Sequence, residues 1–508
     1  MHLHTILAFA FLFLQTEQPA SWRVVGPDDV FVTLILVMGQ PLFWGSASAL
    51  AARRVGRLIA AYPETPQVAQ RFHHHAIMVL RASLVLMFGV TVLFTPWPDW
   101  LELRGVSPAL QVFGDLAVLL PFFASAAASW IGFYPLDRTL RKQRMISPTT
   151  DGMTDKTRWG IWQYLDFNFR HHILIVTVPL TIILFAFNAT YGYESTLRNW
   201  TGWIWAPDAL LGVVAFAVFV TAPLMLIRVW RTHPLEESPL RDRLEAVCTR
   251  IGLKYRDILV WTSDGMMINA AVMGLSPRVR YVLLSDGLLE AMNAEQIEAV
   301  FGHEGGHVKH RHIQHFLLFA FVGWAVVAGL MELLLKTATG NGAWFGISVP
   351  VIEGIGLGAT VVYWGVGFGW LSRRFERQAD VFGARCAAPS AERCEVPCSL
   401  HLDTGTVREG AGGVCATGVA VFTSALERVA LLNGIPHEER NWRHSSIGSR
   451  IRFLSTLAGD PGEARRFSRL VHRVKSTLRW ATIVGSVLAL CYYLIADPAI
   501  TRSGSSFV

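Results

Sequence analysis

Long apolar runs separated by short polar or arginine-bearing connections set the rhythm of this chain. Runs near 30–51, 76–96, 108–134, 172–188, 208–228, 314–335, 347–371 and 478–496 mostly meet the roughly 20 residues that a helix needs to cross hydrocarbon. The pattern predicts eight transmembrane helices. Ile6 to Leu14 is a ninth apolar stretch, too short to span and without a Lys/Arg-rich start. For residues 1–28 two readings stand, a signal-like segment or a short extra helix. Between the fifth and sixth runs the pattern changes. Arg280 to Gly287 reads as a short buried strand closed by a turn. Asn293, with Gln296 three residues on and Ile297, Val300 and Phe301 behind it, reads as a capping box opening an amphipathic helix near residue 294.

Composition agrees: 52% of residues are hydrophobic and 16% charged, against about 25% charged in soluble domains. The chain reads as an integral membrane protein. Arg53, Arg54, Arg57 and Arg71 follow the first long run, and Arg138, Arg141, Lys142, Arg144, Lys156, Arg158 and Arg170 follow the third, whereas the alternate connections carry only Arg104 and Arg198. The positive-inside rule puts the basic loops in the cytoplasm, and parity places 229–313 and 372–477 there too. The net charge of +7 is accounted for by loops facing anionic lipid, and no nucleic-acid motif is present. Arginine outnumbers lysine, the usage of a high-GC genome, so a bacterial inner membrane is the expected location. Arg81, Asp115, Glu332 and Glu353 fall inside apolar runs, where charge is expensive and points either to a wet cavity or to local pairing.

One stretch carries chemistry. In Phe301-Gly-His-Glu-Gly-Gly-His307, His303 and His307 stand four apart on one helical face, so both imidazoles can reach one tetrahedral Zn²⁺. Glu304 lies beside them as general base for the attacking water. Gly305 and Gly306 each cost a helix about 1 kcal/mol relative to Ala, so metal binding or close packing must compensate. Two runs later, Ser372-Arg-Arg-Phe-Glu-Arg-Gln-Ala-Asp380 again sets acids four apart. Glu376 is the expected third ligand, leaving a zinc position for water, and Asp380 can accept the free N–H of a ligating histidine.

HEGGH followed after two apolar runs by FERQAD resembles the membrane zinc metalloendopeptidases that include the CAAX prenyl protease type 1 and the HtpX heat-shock protease. Five long runs before HEGGH and two between it and Glu376 are nearer the seven-helix CAAX protease branch. The resemblance implies an α-helical polytopic membrane protein with a small cytoplasmic α+β zincin-like catalytic domain, and helices enclosing a water-filled chamber. It also implies roles for further residues. Asp264 to Gly274 resembles the family's strand that aligns the substrate backbone, which places Asn269 beside the cleft. Arg443-His-Ser-Ser-Ile-Gly-Ser-Arg-Ile451 is similar to a later segment in which His444 would stabilise the oxyanion and Arg450 would buttress the site, with Ser445 and Ser446 where the family carries prolines.

Cys386, Cys394, Cys398 and Cys415 cluster after the third ligand. Reduced, inert thiols and a second, structural zinc are both open readings, since a reducing cytoplasm disfavours disulfides. His73, His74, His75, His171 and His172 are expected as interfacial anchors, and Asn188 and Asn199 open glycosylation sequons. The expected organisation is the N-terminal segment 1–28, five helices over 29–235, catalytic part 236–313, two helices over 314–371, a second cytoplasmic part 372–477 and a C-terminal helix and tail 478–508.

The expected function is a zinc-dependent endopeptidase cleaving membrane-associated or misfolded membrane proteins or CAAX-like peptides. Its partners are then a peptide or membrane-protein substrate and the lipid bilayer, with oligomeric state open. The alternatives are a catalytically inactive membrane scaffold with a structural metal site and a site-2-type intramembrane protease. The second is disfavoured by the polar flanks Glu295, Glu298, Lys309, His310, Arg311 and His312. A transporter would show internal repeats, and none is visible.

Overall fold

The computed structural model describes residues 2–16, 23–26, 28–61, 66–145, 160–265, 267–339, 349–387, 414–439 and 441–496. Among them, seven segments are long and apolar enough to cross a membrane: Val30–Ala61, His75–Phe94, Pro108–Leu140, Ile161–Gly192, Ala206–Val229, His312–Lys336 and Gly354–Ala387. These are seven of the eight expected. The eighth, 478–496, continues a 36-residue helix, Pro461–Ala496, whose last side chains lie outside the described residues.

The helices that matter below are α1 (His2–Thr16), α2 (Val30–Ala61), α3 (Pro66–Phe94), α4 (Leu120–Met145), α5 (Ile175–Gly192) and α6 (Ala206–Val229). α1 is part of the bundle: Ala8, Phe9 and Leu12 are buried with Phe88 and Val92 of α3 and Leu184 of α5. Intramembrane charges mostly find partners. Asn188 donates to Asp115 at 2.6 Å, which also takes that sequon's asparagine inward. Glu332 pairs with Lys336 at 2.7 Å, and Arg81 borders a cavity of about 20 Å³ beside Ser129 and Trp130, room for about one water. The side chain of Glu353 lies outside the described residues.

After α6 the chain builds β1 (Thr232–Pro234), α7 (Pro239–Ile251), β2 (Asp257–Trp261), β3 (Ala270–Met273), β4 (Tyr281–Ser285) and α8 (Ala294–Lys309). The strand order is β1-β2-β4-β3, with β2 and β4 parallel and both outer pairs antiparallel. β4 is the strand expected at 280–287, buried at all five positions. Period-two alternation with both faces covered explains why the central strands are apolar over Ile258–Trp261 and Tyr281–Leu284. Ile258, Val260, Val282 and Leu284 enter the core with α7 and α8. Leu259, Trp261, Tyr281 and Leu283 face Leu224, Ile227 and Trp230 at the end of α6. The sheet is thus docked onto the membrane helices. A stack reinforces the joint, with Trp230 and Trp261 ring centroids 4.4 Å apart and Trp261 Nε1 donating to His171 Nε2 at 2.8 Å. His171 is therefore buried structure rather than the interfacial anchor expected, because a sheet covers that end of the helix.

α9 (His312–Thr339) and α10 (Val349–Val362) lead to α11 (Gly369–Ala387), and α12 (Ala416–Asn433), α13 (Ile447–Gly459) and α14 (Pro461–Ala496) follow. α8 and α11 cross at very short range, which answers the glycine question. A Cβ on Gly302 would lie 2.6 Å from Cys386 Cβ, one on Gly306 3.2 Å from Ala379 Cα, and one on Gly383 3.1 Å from the Ala299 carbonyl. Small residues four apart on each helix let the backbones meet, and this packing offsets the lost helix propensity.

Candidate metal centre

α8 begins as expected. Asn293 Oδ1 accepts from Gln296 N at 2.8 Å and the Gln296 side chain returns to Asn293 N, a closed capping box that fixes the helix start. From there three turns carry His303 and His307 to the crossing with α11, where Glu376 waits. His303 Nε2 and His307 Nε2 are 3.3 Å apart, and Glu376 oxygens lie 3.6 Å from the first and 3.7 Å from the second. Ligand atoms about 2.0–2.1 Å from a tetrahedral zinc would stand roughly 3.3–3.5 Å apart. The donor set and its spacing therefore fit Zn²⁺, and among the described residues this is the group of three competent to hold a metal.

Around it lies a supporting layer. Asp380, completely buried, lies 3.0 Å from His303 Nδ1 through Oδ1. Arg450 of α13 clamps the same carboxylate with both nitrogens, Nε to Oδ2 at 2.9 Å and the second bond to Oδ1. A carboxylate only accepts, so His303 carries its hydrogen on Nδ1 and presents a bare Nε2 to the metal position. Burial works against charging His303, but Asp380 overcomes it and raises its pKa. Burial lowers His307 to about 4, with the neighbouring His303 adding to it. The second ligand is thus neutral and available across the physiological range. Burial pushes Glu304 up to about 7, only partly opposed by the histidines and Arg450.

His444 comes to the same place from a loop, its Nδ1 2.9 Å from Glu376 Oε2 and its ring half exposed. An Asx turn sets it, Asn441 Oδ1 accepting from the Arg443 and His444 amides. The next residue, Ser445, has φ +65°, which proline cannot adopt. Serine there is a local requirement of this loop, and Ser446 caps α13 by accepting from Ser449 N. Asn269 stands exposed just before β3, its backbone paired with Ser285 on both sides. β3 is the free edge of the sheet, next to α8. Of the cysteine cluster, Cys386 and Cys415 are buried, while Cys394 and Cys398 lie outside the described residues.

Fold and site together describe a helical protein with candidate membrane spans and a group of three side chains able to hold a metal. Residues 234–474, which hold every candidate site residue just described, match the family model described as Peptidase family M48. The kinship expected from HEGGH and FERQAD is borne out. The chain is 31% identical over 158 residues to a protease HtpX of Xylella fastidiosa, covering 29% of this chain and 52% of that one. It is 34% identical over 161 residues to a protease HtpX of Xanthomonas campestris pv. campestris, covering 30% and 53%. The chain thus spans about half the length of these relatives. A CAAX prenyl protease 1 homolog of Arabidopsis thaliana is 23% identical over 330 residues, 62% of this chain and 73% of that one. The crystal structure of S. mikatae Ste24p overlays on 84% of this chain and 98% of its own, with TM-score 0.45 and 14% identity.

Proposed function

We propose that this protein is a zinc-dependent endopeptidase of a cell membrane, bacterial and inner, with its site on the cytoplasmic side. The observation that carries the reading is the convergence of His303, His307 and Glu376 at ligand spacing, with Glu304 beside them on the same helix. Zinc held there supplies Lewis acidity to the attacking water and the scissile carbonyl.

The chain's own residues do the rest. Glu304, with its pKa near 7, is matched to accept a proton from the attacking water at neutral pH and to return it to the leaving amine. His444, half exposed at the rim, is positioned to donate to the oxyanion. The open edge of β3 lets an extended peptide add as a further strand, with the Asn269 side chain at its entrance, so recognition works through backbone more than side chains. Substrates are then membrane-associated or misfolded membrane proteins, or CAAX-like peptides, and the cysteines carry either inert thiols or a structural zinc.

The test compares purified wild type with Glu304→Gln for bound zinc and for cleavage of a loosely folded membrane protein. Zinc in both, with chelator-sensitive cleavage by wild type alone, is the expected result. Zinc in both and cleavage by neither would sink the protease reading in favour of a scaffold.

A further inference from the structure

His303 has its orienting carboxylate on Nδ1, whereas the corresponding nitrogen of the second ligand meets another histidine. His307 Nδ1 lies 2.9 Å from His312 Nδ1. His312, completely buried at the start of α9, stacks flat on Phe375 at 4.4 Å, and its other nitrogen, Nε2, is 3.0 Å from Gln378 Oε1. The same oxygen accepts from Lys475 Nζ at 2.7 Å. Lys475 is buried on α14 and also donates to the His310 carbonyl at 2.9 Å.

An amide can present oxygen or nitrogen and a histidine can carry its hydrogen on either ring nitrogen, so such a chain has two opposite settings unless one end is fixed. Lysine has only donors. Facing Lys475, Gln378 must therefore present its oxygen. His312 must then carry its hydrogen on Nε2 to donate to that oxygen, which leaves its Nδ1 an acceptor. His307 must donate from Nδ1, and its Nε2 is left bare toward Glu376 and His303. We propose that Lys475, a positioning residue, sets the tautomer of metal ligand His307 through Gln378 and His312, making zinc affinity depend on the C-terminal helix α14. The inference rests on the metal reading above. It gives α14, whose junction with the site lies just past the matched segment ending at residue 474, a task in holding the metal.

The experiment measures zinc affinity of the full-length protein in detergent by chelator competition. Lys475→Met removes the donor that fixes the chain, and Lys475→Arg keeps a donor-only side chain. Outer partners of metal-bound histidines typically contribute 10–100-fold to affinity, so Lys475→Met should weaken zinc at least tenfold and Lys475→Arg by much less. Gln378→Met, at a partly exposed position, should reproduce the loss and serves if Lys475→Met does not fold. Unchanged affinity in the folded Met variants, or equal loss in Lys475→Met and Lys475→Arg, overturns the relay while the metal site stands. No zinc in wild type, or no effect of His307→Ala, overturns the metal reading itself and the relay with it.

Discussion

Glu304 shows how much one side chain can be asked to do. Its carboxyl is held near 7 by burial, against about 4.3 when unfolded. A raised folded pKa means that the native state favours the neutral acid. Stability is fully present below the unfolded value and is lost as pH rises through about 7. In the metal-free protein, Glu304→Gln should therefore melt higher than wild type at pH 8, by the equivalent of roughly 3–4 kcal/mol, and the two should converge below pH 4.5. Melting curves in chelator at the two pH values check this; a constant offset would mean that the gain is not ionisation. Arg450 works in the opposite sense. Removing it by Arg450→Met strands a buried Asp380 carboxylate, which costs about 3–5 kcal/mol. The loss should show as a lower melting temperature together with weaker zinc binding. The ligands themselves were legible because a helix converts a four-residue spacing into a shared face. The chain of contacts behind His307 and His312 was not, since Gln378 and Lys475 lie 66 and 97 positions from the residues they bond, and only packing brings such pairs together.

At the scale of elements, the site is a crossing of two helices, and its dimensions are set by glycine. Gly302 and Gly305 look alike in sequence but differ in consequence. A methyl at 302 would meet the Cys386 Cβ at 2.6 Å on the opposing helix, whereas at 305 it meets only the Cδ1 end of Ile251 at 2.8 Å. Gly302→Ala should force α8 from α11, costing about 1–3 kcal/mol, and should weaken zinc because it separates Glu376 from the histidines. Gly305→Ala should be close to neutral, its helix propensity gain of up to about 1 kcal/mol offset by moving Ile251. Thermal melts and zinc titrations of both variants decide it; equal effects would mean that the crossing is not what fixes the ligand spacing. The sequence displayed the glycines and posed the right question, but could not say which neighbour they admit. It likewise showed β4 through five consecutive buried residues and missed β1, three residues long, since so short an edge strand is made by its partner rather than by its own pattern.

Across the whole molecule, the site is assembled from two segments separated by a pair of spans. Residues 232–311 follow the fifth candidate span, and α11 and the segments after it close the seventh, so an even number of crossings returns both to one side. The arginines that follow the first and third spans predict that this side is the cytoplasm. The opposite connections carry exposed Trp100, Trp200, Trp203 and Trp205, the aromatic belt expected where helices leave the bilayer. The orientation can be read chemically because Glu102 and Glu236 are both exposed and lie on opposite sides of this scheme. In a variant freed of its native cysteines, Glu102→Cys should react with a membrane-impermeant maleimide on intact cells, and Glu236→Cys only after permeabilisation. The reverse pattern would place the metal centre outside the cell and exclude cytoplasmic substrates. Equal labelling of both would mean that the spans do not alternate as counted. The predicted pattern instead would place the metal centre on the cytoplasmic side, where the sheet rests on Leu224, Ile227 and Trp230 at the end of α6. That docking ties the sheet, with β3 at its edge, to the end of the fifth candidate span.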